Sequence, residues 1–128
     1  MENNANELVK ITETGKVLNV TNACIDNSYF NDIRAVGVKI MNANLSDLEI
    51  EGAQLGGAYI HNIGMPPKGH PFYDPDAKQR PLKFEDCDLN DSNISNCNLS
   101  NVTISDCNIT GMKINGILVE DLLKGYKK

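Results

Sequence analysis

The chain has 128 residues, a formal net charge of −5, few aromatic residues and no Trp. That length suits one domain with a continuous core. The acidic balance argues against phosphate-backbone binding as the main activity, and no apolar run is long enough to cross a membrane as a helix.

Residues 1–17 read as an N-terminal cap. Met1-Glu2-Asn3-Asn4 lacks the basic and apolar regions of a signal peptide, so a cytoplasmic protein of bacterial type is expected. Leu8, Val9 and Ile11, then Gly15 and Val17-Leu18, look like short extended pieces leading into the body of the chain.

From residue 18 to 63 an apolar centre recurs at every fifth position: Val20, Ile25, Phe30, Ala35, Ile40, Leu45, Ile50, Leu55 and Ile60. A second apolar or small residue stands two positions before each, from Leu18 and Ala23 to Ala53 and Ala58. Neither a helix nor an ordinary strand favours a period of five. Fixed-period self-similarity marks a solenoid.

Residues 64–81, GMPPKGHPFYDPDAKQRP, break the period and hold all five prolines of the chain. Proline lacks the donor that a ladder needs, so this stretch leaves the solenoid as a stiffened loop. Its His70, Phe72, Tyr73 and Arg80 are candidate contact residues, since ordered loops of this length are often functional.

The period resumes over 82–116 with centres Phe84, Leu89, Ile94, Leu99, Ile104, Ile109 and Ile114, which brings the tally to nine pentads and then seven. The pattern small–x–Leu/Ile–x–x, as in Ala43-Asn44-Leu45-Ser46-Asp47 and Cys97-Asn98-Leu99-Ser100-Asn101, resembles the pentapeptide-repeat proteins over residues 18–116, interrupted once. The resemblance implies an all-β fold, a right-handed quadrilateral parallel β-helix with four pentads per coil. The centre and the residue two before it would then point inward. Residues twenty apart would stack about 4.8 Å from one another, giving four coils in a rod of roughly 20 Å. Stacks such as Phe30/Ile50/Leu89/Ile109 then form if the loop only bulges out. Outward Asn residues, among 17 in the chain, would pair with their copies one coil away.

Gly116 closes the repeats, and Ile117, Leu118, Leu122, Leu123 and Tyr126 recur at helical spacing. Residues 118–126 are therefore expected to form a short amphipathic helix within a C-terminal cap, 117–128, folded over the last coil.

Cys87, Cys97 and Cys107 occupy the inward small-residue slot and are expected to behave as core residues, with Cys24 outward and reactive. Matches to the glycosylation acceptor, Asn98-Leu99-Ser100 among them, arise mostly from the repeat and carry no such meaning without a secretory signal. Between Phe84 and Met112 the charges are all acidic: Glu85, Asp86, Asp88, Asp91 and Asp106.

Three functional readings are open. The first is a non-enzymatic scaffold for a protein partner, monomeric or homodimeric, with no cofactor, no direct nucleic acid and no membrane. Its contacts would come from His70, Phe72, Tyr73, Arg80, Glu85, Asp86, Asp88 and Asp91. The second is implied by the resemblance: an acidic DNA mimic that protects a type II topoisomerase such as gyrase. The third is a metal or hydrolytic site in the 64–81 loop; the candidate residues are His70, Asp74 and Asp76 within it and His61 just before it. No HExxH or paired-cysteine spacing organises those four residues, and the faces of a thin rod are not concave, so no catalytic residue is expected.

Overall fold

A computed structural model describes residues 7–126. The start of the expected N-terminal cap, 1–6, and the last two residues of the C-terminal cap lie outside the described residues. The chain divides into two compact units, one ending at Tyr59 and the other beginning at Ile60.

In the first unit the backbone turns left-handed at Asn22, Asn27, Asp32, Gly37, Asn42, Asp47, Gly52 and Gly57. Each lies two residues after an apolar centre. A left-handed backbone costs an ordinary L-residue about 1–2 kcal/mol, whereas Gly, Asn and Asp adopt it readily. The residue type at this position therefore sets where the chain bends. Three of the alternate turns are closed by a backbone hydrogen bond: Ser28 N–H donates to Ile25 O (3.2 Å), Leu48 N–H to Leu45 O (3.1 Å) and Ala58 N–H to Leu55 O (2.9 Å). With the left-handed residue third of four, this is the arrangement of a type II turn. The turns between them, at Asn22, Asp32, Asn42 and Gly52, are bends.

The second unit repeats the rule at Asn62 and, after the loop, at Asp86, Asp91, Asn96, Asn101, Asp106, Gly111 and Gly116. Ser92, Val102 and Met112 donate their N–H groups to the carbonyls of Leu89, Leu99 and Ile109 at 3.0–3.1 Å. The two units together thus carry one left-handed turn for each of the sixteen pentads read from the sequence.

This unit ends in regular structure. Strands β1 (Lys113–Ile114) and β2 (Ile117–Leu118) pair antiparallel, Lys113 opposite Leu118 and Ile114 opposite Ile117. Asn115 (φ 49°) and Gly116 (φ 82°) form the two-residue loop, the combination that suits the twist of a tight hairpin. Helix α1 follows directly (Val119–Lys124). Val119 N–H donates to Met112 O (2.9 Å), and the Glu120 carboxylate accepts the Gly111 N–H (2.9 Å). Ile109, Met112, Leu118 and Val119 are half-buried where this end folds back.

Several expectations need correction. The C-terminal helix is shorter than 118–126, because Ile117 and Leu118 are drawn into the hairpin by the Asn-Gly turn. Inward stacking is not realised: the large centres other than Ile109 are exposed, from 46 % at Leu45 to 67 % at Ile94. Cys87, Cys97 and Cys107 are exposed as well, each thiol donating to the carbonyl two residues before it, on Glu85, Ser95 and Ser105.

The physical reason is that the turns are local and the core is not. Each closed turn is complete within four residues, whereas burying a centre requires the coils on either side to close on it. Segments about twenty residues apart do face one another, but across open space. Gly15–Val17 line a cleft of about 690 Å³ with Arg34–Val36. In the second unit, residues 93–97 and Leu99 line one of about 500 Å³ with Lys113, Asn115 and Gly116.

Candidate contact surface

The 64–81 loop is a succession of turns. Gly69 is left-handed (φ 96°), and His70 N–H donates to Pro67 O (3.0 Å). Tyr73 N–H donates to His70 O (3.0 Å) and Ala77 N–H to Asp74 O (3.2 Å), which puts Pro71 and Pro75 second in their turns. Proline has the φ that this position requires, so each ring fixes a bend in advance. Asp74 reinforces its turn by accepting the Asp76 N–H (2.9 Å).

His70 and Phe72 are brought together. The Phe72 N–H donates to Nδ1 of His70 (3.0 Å), leaving Nε2 to carry the proton of a neutral ring, and the two rings are 5.7 Å apart and tilted by 46°. Phe72 is 79 % exposed and Tyr73 41 %, so the loop presents an aromatic surface rather than packing it away. Arg80, at the loop's exit, is held in an interaction of its own.

The acidic candidates are each engaged locally. Glu85 pairs with Lys83 at 2.9 Å, and its carboxylate holds the lysine ammonium above its ordinary range. Asp86 and Asp91 are left-handed turn residues, Asp88 accepts the Asn90 N–H (2.9 Å), and the Asn90 side-chain amide donates to Asp91 (3.2 Å). These carboxylates shape the turns while remaining exposed. His61, His70, Asp74 and Asp76 form no three-ligand group among the described residues.

Sequence reasoning missed two roles of Asn and Asp. One is the left-handed turn residue itself, legible as Asn, Asp or Gly at every fifth position. The other is a pin: Asn44, Asp88, Asn98 and Asn108, one before the centre, accept the N–H of the residue one after it at 2.9–3.1 Å. Ser46 and Ser100 hydroxyls donate to the same Asn44 and Asn98 oxygens at 2.6 Å. The apparent glycosylation acceptors at Asn44 and Asn98 are therefore turn-closing pairs.

A family model, pentapeptide repeats, matches residues 83–118 in eight copies. Residues 83–118 are therefore similar to the pentapeptide-repeat family, in keeping with the period of five. No curated protein and no solved structure matches the chain. The matched copies lie on the stretch where the turn pins are most regular, and the match ends at Leu118.

Proposed function

We propose that this chain is a non-enzymatic pentapeptide-repeat scaffold whose pentads close into a right-handed quadrilateral β-helix and offer its proline-rich loop to a protein partner. The observation that carries the reading is the left-handed turn at every fifth residue, which bends the chain at a constant interval through both blocks. Closure of the clefts between segments about twenty residues apart is favoured by burial. Each Leu, Ile or Phe centre taken out of water contributes about 1.5–3 kcal/mol, and in the open arrangement nearly all of them remain in water. The loop differs from the repeats in holding pre-bent, exposed aromatic residues, the side chains most enriched where protein interfaces are strongest.

A pull-down that compares the intact chain with one in which 64–81 is replaced by a short Gly-Ser linker tests this reading. A partner retained by the first and lost by the second, with both chains giving the same circular dichroism, supports it. A partner retained equally by both moves the contact to the faces of the repeats, and recovery of none by either chain contradicts the scaffold reading.

A further inference from the structure

The C-terminal hairpin is joined by the only Asn-Gly pair in the chain. Asn115 and Gly116 are both left-handed and exposed, and they hold β1 against β2. Everything that covers the last pentads depends on this turn: the Val119 N–H bond to Met112, the Glu120 bond to Gly111, and the half-buried cluster of Ile109, Met112, Leu118 and Val119.

We propose that Asn115 is a spontaneous modification site whose deamidation releases this C-terminal cap. The Gly116 backbone nitrogen attacks the Asn115 side-chain carbonyl carbon, and a C–N bond forms as the side-chain amide leaves as ammonia. Water then opens the cyclic imide at either carbonyl, giving aspartate or isoaspartate. The net change is one water taken up and one ammonia released, with no oxidant or reductant.

Glycine leaves the attacking nitrogen unobstructed, having no Cβ. The other left-handed asparagines lack this feature. Asn22, Asn27, Asn42, Asn62, Asn96 and Asn101 are followed by Ala, Ser, Ala, Ile, Cys and Val, whose side chains crowd the attack. Isoaspartate inserts an extra methylene into a loop of two residues, so the Lys113–Leu118 and Ile114–Ile117 register cannot be kept. Either product also adds a negative charge beside a hairpin already followed by Glu120 and Asp121.

The test is incubation of the full chain in mildly alkaline buffer, followed by tryptic mapping and amide exchange. The expected result is that the peptide Ile114–Lys124 gains one mass unit before any other Asn-containing peptide, in two chromatographically separate forms. Val119 should exchange faster in the modified fraction, and an Asn115→Gln variant should keep the mass of that peptide. The proposal is overturned if another asparagine changes first, if only the aspartyl form arises, or if Val119 exchange is unaltered by the modification.

Discussion

In residues 82–116 each hydrogen-bonded turn has an Asn or Asp one position before its centre: Asp88 before Leu89, Asn98 before Leu99 and Asn108 before Ile109. In residues 18–63 the bonded turns at Ile25, Leu45 and Leu55 are preceded by Cys24, Asn44 and Gln54, and only Asn44 pins its turn. Both blocks obey the same left-handed rule two residues after the centre. They differ in how firmly each turn is tied. The difference teaches that the period and the pin are separable: the apolar centre and the left-handed residue define a pentad, and the residue before the centre tunes it. The family match falls on the better-pinned block.

The largest effect should come from Ile94→Asp. If the coils close, this buries an unpaired charge and costs about 3 kcal/mol or more, whereas Asn96→Asp two residues later keeps a residue suited to the left-handed turn and changes little. Equal denaturant midpoints for the two variants would show that the second block stays open. Next in size is Asn96→Val, which forces a β-branched residue into the left-handed region and should cost about 1–2 kcal/mol, against a near-neutral Asn96→Gly. Similar losses in both would make the turn position irrelevant.

The pin can be removed from one block and installed in the other. Asn98→Ala should destabilise by about 1 kcal/mol. The reciprocal Gln54→Asn should stabilise the first block by about 0.5–1 kcal/mol, measured by urea denaturation, because it supplies the acceptor that the Leu55 turn lacks. No gain from Gln54→Asn would mean that the blocks differ for another reason. Smallest of all, removing the ion pair to Glu85 with Lys83→Met should leave the denaturation midpoint nearly unchanged, since both groups are well exposed.

Much of this architecture was legible in the sequence, because an apolar centre at a period of five has no other common explanation. The prolines, from Pro66 to Pro81, mark the stretch that leaves the period. The turn residues were in plain view as well, at Asn22, Asp47 or Asn96, yet Asn and Asp serve equally as ladder residues, and composition does not separate the two roles. The helical stripe over 118–126 starts one residue before the helix and runs two past it, because Leu118 fits a helix and a strand alike. The Asn115-Gly116 signal, which resolves Ile117 and Leu118 into a hairpin, lies just outside that stripe. Within the contact surface, the prolines disclosed a stiff loop, but the bond between His70 and Phe72 depends on Pro71 turning the backbone between them. Burial at Cys97 or Ile94 was beyond reach, since periodicity shows which residues share a face and not whether another coil covers it.

Residue-resolved amide hydrogen exchange tests most directly the proposal that these turns wind the pentads into closed coils. Closed coils predict protected amides recurring in every pentad, with those of residues 82–116 the slowest. Protection confined to Ser92, Val102, Met112 and the hairpin, with every other repeat amide exchanging like an unfolded chain, would contradict it.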